Sequence, residues 1–218
     1  MITYGVVGAG GLGKGQIDYA MRSVLNQIDG ITESDVRLVF VDASPPSQEV
    51  HGYPVLSVED FLSENRGDHY FNLLFSGTKE RQRTAELMIE NGVKPLPHIH
   101  PNTELRNHTD VGEGLVMGYC SVIDTACTIG RFLQFLDHGY ISHDCVIGDF
   151  VELAPRVGIN GNTILEDHVY VGTGAIFRQG TPDQPLVIGR GAVVGMGSVV
   201  TKDVPAGATV IGNPARQV

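Results

Sequence analysis

Twelve apolar residues recur at every sixth position: Val111, Met117, Ile123, Ile129, Phe135, Ile141, Ile147, Leu153, Ile159, Leu165, Val171 and Phe177. Apolar residues make up 42% of the chain, so twelve hits in a preset phase have a chance of about 3 × 10⁻⁵, and a repeat is the better reading. A small or polar residue often comes next (Gly112, Gly118, Gly130, Gly148, Ala154, Gly172). A small or β-branched one often stands four places on (Ser121, Cys127, Cys145, Val151, Thr163, Ala175). No helix has period six. A parallel β-helix with three short faces per turn does, at 18 residues per coil, with the apolar and small residues inward and the others at corners and outer surface. The register breaks once, between Phe177 and Ile188, where GTPDQPL should bulge out as a loop. Ile188, Val194 and Val200 resume it, and TKDVPAGATVIGNPARQV should leave the coil as a cap or tail.

The first half has a different pattern. Ile2–Val7, Val36–Val41 and Tyr70–Phe75 read as buried strands, and a last short strand is expected near Val93–Leu96. Helical spacing runs from Gln16 to about Ile28. A second helix spans Ser57–Glu64, opened by the serine, and a third spans Lys79–Asn91, stopped by Gly92. This alternation implies a parallel sheet with helices on its faces. GAGGLG, with Gly8, Gly10 and Gly13, lies between the first strand and the first helix, and Asp42 ends the second strand. Such glycines allow a tight turn and close approach of a phosphate to the backbone. The loop alone also admits a tight turn that binds nothing, or a dinucleotide site. Only about 95 residues precede the coil, half of a full dinucleotide fold, so a mononucleotide fits the space better. The expected domains are residues 1–97 and 98–218.

The net charge of −10 argues against nucleic acid and anionic membranes as partners. No apolar run approaches the ~20 residues of a membrane span, and the first residues lack the basic start of a signal peptide, so a cytoplasmic protein is expected. Cys120, Cys127 and Cys145, without CxxC spacing, read as reduced core filler.

The hexads, the ending GMGSVVTKDVPAGATVIGNPAR and the stretch HDCVIGD together resemble the hexapeptide-repeat acyltransferases of the left-handed β-helix fold. The pairing of a small α/β half with the coil resembles one branch in particular. It is the sialic acid O-acetyltransferase-like sugar acyltransferases, which include acetyl-CoA-dependent N-acetyltransferases of nucleotide-linked 4-amino-sugars. The resemblance covers essentially the whole chain. It implies a half-Rossmann-like α/β domain followed by a left-handed parallel β-helix, assembled as a homotrimer. It implies acetyl transfer to the amine, at C4, of a nucleotide-activated amino-sugar for a surface polysaccharide, with acetyl-CoA as co-substrate and no metal. His143 becomes the general base and Asp144 its orienting acid. Gly161 and Thr173 come to lie near acetyl-CoA, Gly10, Gly11 and Leu12 at the nucleotide, Asp42 near its base or ribose, and Gly77 on the third loop. Some relatives have a histidine at the place of Leu12, an acid at Ala43 and a second histidine at Glu152, and this chain lacks all three.

The residues support the role given to His143. An amine attacking a thioester sheds a proton, and a neutral imidazole suits that task. Residues 18 apart should stack, so Thr125, His143 and Gly161 form one column. Gly161 would leave bare backbone for the thioester to approach, and an N–H for an oxyanion. No cysteine or serine stands with a base as a nucleophile, so direct attack is expected. The repeat alone leaves His143 open to a plain role as a solvated corner histidine, and a hydroxyl could replace the amine in sialic acid-type O-acetylation. His138 and His143 also admit a γ-carbonic-anhydrase-like zinc hydratase, which wants a further histidine near Asn102. A binding or assembly role without chemistry is a third class. His98 and His100 should pack against the first coil, and His168 should be an exposed corner.

Overall fold

The computed structural model describes residues 1–64 and 67–218. It divides into two compact units, Met1–Pro101 and Asn102–Val218, against the 97/98 boundary drawn from sequence.

In the first unit, strands β1 (Ile2–Val7), β2 (Val36–Asp42), β3 (Glu49–Val50), β4 (Tyr53–Ser57), β5 (Asp68–Leu73) and β6 (Lys94–Pro95) form one sheet in the order β3-β4-β2-β1-β5-β6. All pairs are parallel except β3 with β4. That hairpin has no counterpart in the sequence reading. Its turn, His51-Gly52, has φ of 52° and 83°, and two left-handed residues match the twist of adjoining strands. The helix expected from Gln16 to about Ile28 begins earlier, ends sooner and is interrupted: α1 (Gly11–Gln16), a 3₁₀ turn (Ile17–Tyr19) and α2 (Ala20–Leu25). α3 (Val58–Ser63) starts where the serine predicted it: the Asp60 N–H donates to the Ser57 hydroxyl. α4 (Thr78–Glu90) ends against Gly92, at φ 80°. Tyr4, Phe40, Phe61 and Phe71 fill the core. His98 is buried in this core. Its Nδ1 meets the Tyr4 hydroxyl at 3.0 Å and its Nε2 the Gln16 carbonyl at 3.1 Å, while its ring lies 4.8 Å from that of Tyr19.

The second unit is the triangular coil. Its first face stacks Glu104–Leu105, Val122–Ile123, Tyr140–Ile141, Gly158–Ile159, Ile176–Phe177 and Val199–Val200. The second stacks Asp110–Val111, Thr128–Ile129, Val146–Ile147, Thr163–Leu165 and Leu186–Ile188. The third carries Val116–Met117, Gln134–Phe135, Glu152–Leu153, Tyr170–Val171, Val193–Val194 and Thr209–Ile211. Partners are 18 residues apart (Val122 with Tyr140, Tyr140 with Gly158) until the loop after Phe177, beyond which Leu165 pairs with Ile188. The second residue of the two-residue strands points inward, and in Thr163–Leu165 and Leu186–Ile188 the first and third do. Ile123, Phe135, Ile141, Leu153, Ile159 and Phe177 are fully buried, whereas Val111, first of the hexads, is 38% exposed. The small inward place is a glycine where its neighbour is large: a Cβ on Gly139 would collide with the Phe135 ring.

Corners use left-handed residues. Ala126, Asp144 and Asn162 form one column of positive φ, Cys120, His138 and Arg156 a second, and Phe132, Phe150 and His168 a third. In the third column the Phe132 and Phe150 rings stack at 5.2 Å and Phe150 and His168 at 5.8 Å, so His168 is half-buried in a ladder and not an exposed corner. Cys127 and Cys145 are buried, but Cys120 lies exposed at a corner, contrary to its reading as core filler. The ending does not simply leave the coil. Thr209–Ile211 adds another parallel rung to the third face, and only then does Arg216–Gln217 fold back antiparallel over it.

Candidate active site

His143 and Asp144 occupy the corner between the first and second faces, on the coil that also carries Tyr140. Neighbouring side chains on an extended strand diverge, so the contact between them depends on the turn. Asp144 has φ 58°, and this left-handed bend swings its carboxylate back toward the ring. Asp144 Oδ2 lies 2.7 Å from His143 Nδ1. The Asp144 N–H donates to the Thr125 carbonyl of the preceding coil (3.3 Å), and the His143 carbonyl accepts from Asn162 N–H of the next (3.2 Å). The pair is therefore tied at both ends to neighbouring coils. An ionised Asp144 keeps the proton on Nδ1 and leaves Nε2 with a free lone pair.

Thr125, His143 and Gly161 stack as the 18-residue period requires, but Gly161 does not leave an open ledge for a thioester. The imidazole itself lies over it. A Cβ built on Gly161 would stand 2.7 Å from Cε1, 2.8 Å from Nε2 and 3.1 Å from Nδ1. The glycine is a seat for the ring, and the ring's outer side faces solvent, with 41% of the side chain exposed. Tyr140 repeats the device. Its ring covers Gly158, where a Cβ would fall 2.8 Å from Cε1, and its hydroxyl donates to Asn160 Oδ1 at 3.2 Å. Sequence reasoning missed Tyr140 and Asn160, although the same spacing pairs Tyr140 with Gly158. On the preceding coil, Asp124 accepts from the Thr125 N–H and from Arg106. The first of these bonds is the larger cause of a carboxyl held below its usual range.

Thr173 is exposed, at the opposite edge of the first face from Gly161. The two do not share a corner. Glu152 is buried on the third face, half a coil from His143. His138 packs edge-on against Tyr119 at 5.2 Å, and among the described residues no three His, Cys, Asp or Glu side chains converge as a metal site.

In the first unit a cavity of about 350 Å³ opens at the carboxyl ends of β1, β2 and β5, where the strand order reverses. Gly10 and Asp42 line it, whereas Gly11, Leu12 and Gly77 do not. Gly13 is glycine because a Cβ would strike the Gly8 carbonyl, which lets α1 approach the strand closely. Gly77 caps α4 at φ 114°. Asp42 is fixed from both sides: Oδ2 accepts the Ala9 N–H and Oδ1 the Ser44 N–H, each at 2.9 Å. Val58, Phe75, Glu80 and Thr84 complete the wall. No sequence motif joins these four: Glu80 and Thr84 lie one turn apart on α4, but Val58 opens α3 and Phe75 follows β5.

A triangular hexapeptide coil with a carboxylate-oriented imidazole at its corner, joined to a half-Rossmann-like unit, is the architecture of a left-handed β-helix acyltransferase. No family model matches the chain. The GDP-perosamine N-acetyltransferase of Escherichia coli O157:H7 is 43% identical over 219 residues, covering 100% of this chain and 97% of its own. WeeI from Acinetobacter baumannii AYE superposes with a TM-score of 0.91 at 39% identity over 100% of both chains. The acetyltransferase domain of PglB from Neisseria gonorrhoeae FA1090, solved with acetyl coenzyme A, follows at TM-score 0.84 and 25% identity, over 99% of this chain and 98% of its own. The chain belongs to the hexapeptide-repeat sugar acyltransferases, in the branch of the acetyl-CoA-dependent sugar N-acetyltransferases.

Proposed function

We propose that this chain moves the acetyl group of acetyl-CoA to the amine of a nucleotide-linked amino-deoxysugar, with GDP-perosamine the first acceptor to test. The observation that carries the reading is the 2.7 Å contact between His143 Nδ1 and Asp144, which leaves Nε2 as the basic nitrogen at an exposed corner. The neutral amine attacks the thioester carbonyl carbon, and its proton passes to Nε2. Asp144 favours the imidazolium that results. The tetrahedral intermediate collapses, the C–S bond breaks, and the imidazolium returns its proton to the departing CoA thiolate. Gly161 holds the ring in place and Thr173 contributes to the acetyl-CoA surface. Gly10, Gly11, Leu12, Asp42 and Gly77 serve the nucleotide, with Gly10 and Asp42 the two that line the cavity. N-acetylation is favoured over O-acetylation by the full-length similarity to an N-acetyltransferase.

The working form is a homotrimer in the cytoplasm, acting in polysaccharide biosynthesis. Tyr140 and Ile176 on the first face and Val146 on the second are each more than 40% exposed, which supports burial against further copies. No helix among the described residues is long and apolar enough to cross a membrane.

The test is thiol release from acetyl-CoA with GDP-perosamine and with UDP- and dTDP-linked 4-amino-sugars, and mass analysis of the product. Turnover with a 42 Da gain on the sugar amine supports the reading, whereas release without an acetylated sugar contradicts it. Sedimentation equilibrium tests the assembly.

A further inference from the structure

We propose that Glu80 reads the base of the nucleotide and makes this chain selective for guanine. The proposal rests on the reading that the first unit holds a nucleotide-linked sugar.

The cavity at the ends of β1, β2 and β5 has mainly apolar walls, among them Val7, Val41, Val58 and Phe75. Such walls suit the faces of a flat heterocycle. Its charged groups are two carboxylates with different surroundings. Asp42 gives one oxygen to Ala9 N–H and the other to Ser44 N–H, so it is part of the framework at the end of β2. A carboxylate in that position suits a ribose hydroxyl. Glu80, in the first turn of α4, is not committed in this way. Its Oε2 meets only the exposed Arg83, at 3.3 Å, and that pair is 75% and 63% exposed. An ion pair of that kind contributes little.

A carboxylate repels a diphosphate, so Glu80 belongs at the end of the cavity away from the phosphates. There it presents two acceptor oxygens and no donor. Guanine is the common base with two adjacent donors on one edge, N1–H and the N2 amino group, and they match a carboxylate in a bidentate pair. Uracil and thymine offer a single N3–H between two carbonyl oxygens, which a carboxylate repels. Adenine and cytosine place an amino group beside a ring nitrogen acceptor. One carboxylate therefore separates guanine from the other four. An alternative role for Glu80 is to stabilise the N-terminus of α4, which would make no distinction between bases.

The experiment is calorimetric titration of the full chain, at fixed salt, with GDP, IDP, UDP and dTDP. The expected order is GDP tightest, IDP weaker because it keeps N1–H and lacks the amino group, then UDP and dTDP. In Glu80→Gln, GDP affinity should fall by about tenfold or more, with UDP changed by less than about twofold. The proposal is overturned by UDP binding as tightly as GDP, by IDP equal to GDP, or by a Glu80→Gln loss shared equally among bases. In those three cases the nucleotide-sugar reading survives. If none of the four diphosphates binds, that reading falls and the guanine proposal falls with it.

Discussion

In the coil, the pieces of the site are placed by arithmetic. His143 sits over Gly161 and Tyr140 over Gly158 because each pair is 18 residues apart. In the α/β unit, Gly10, Asp42 and Glu80 line one crevice because the turn after β1, the end of β2 and the first turn of α4 border it. The lesson is about precision and tolerance. A stacked corner is held by coils above and below, so one added methyl at Gly161 must move the imidazole. A crevice between loops has no such lock, and its specificity can be altered by one side chain without shifting the chemistry.

The largest expected effect sets the two cores apart. Phe135 is fully buried in the coil, and its ring occupies the space that Gly139 leaves. Phe135→Ala should cost about 3–5 kcal/mol in denaturant unfolding. Each coil contacts only its neighbours, so amide exchange should accelerate around Met117–Leu153 first and leave β1 and β2 protected. Uniform acceleration across both units would remove the distinction.

The α/β core should be the acid-sensitive one. Burial, the main cause, lowers the His98 pKa from 6.5 to about 4. The Tyr4 hydroxyl, the Gln16 carbonyl, the Tyr19 ring and His100 surround it. The unfolded chain takes up this proton first as pH falls. The contribution of His98 is complete above about pH 7, is lost between pH 6.5 and 4, and totals about 3 kcal/mol. Unfolding at pH 7.5 and pH 4.5, compared with His98→Gln, checks it: the substitution should flatten that part of the profile.

Gly161→Ala tests the seat. It should lower kcat by about 10²-fold with little change in Kd for CoA, because a displaced base misses the amine. An unchanged kcat would mean that the ring finds an equivalent place. Asp144→Asn should have the smallest effect, a fall in kcat of about tenfold with Kd for CoA unchanged, because the ring loses the partner that fixes its tautomer and orientation. An unchanged kcat would make Asp144 a corner residue only.

The sequence displayed the coil plainly, because inward residues repeat at fixed intervals whatever their identity. It concealed the corners. Left-handed φ ordinarily marks Gly, Asn or Asp, yet Phe132, Phe150, Cys120 and Arg156 adopt it here because the repeat demands the turn. The His143–Asp144 contact follows from that same turn, so the residues were legible and their geometry was not. In the α/β unit, strands and most helix ends could be read from caps and apolar runs. The β3–β4 hairpin could not, since His-Gly is a weak turn signal. Nor could the cavity wall, where Glu80 and Thr84 share a face of α4 but no spacing connects them to Val58 and Phe75.

The central claim is that the imidazole at the Thr125–His143–Gly161 corner accepts the proton during acetyl transfer. The most direct measurement is kcat for His143→Ala with a saturating nucleotide amino-sugar, alongside Kd for CoA and far-UV dichroism. The prediction is a loss of about 10²–10⁴-fold in kcat with fold and CoA affinity retained. A folded variant that turns over within about threefold of the parent would contradict it, because general-base catalysis contributes far more than that.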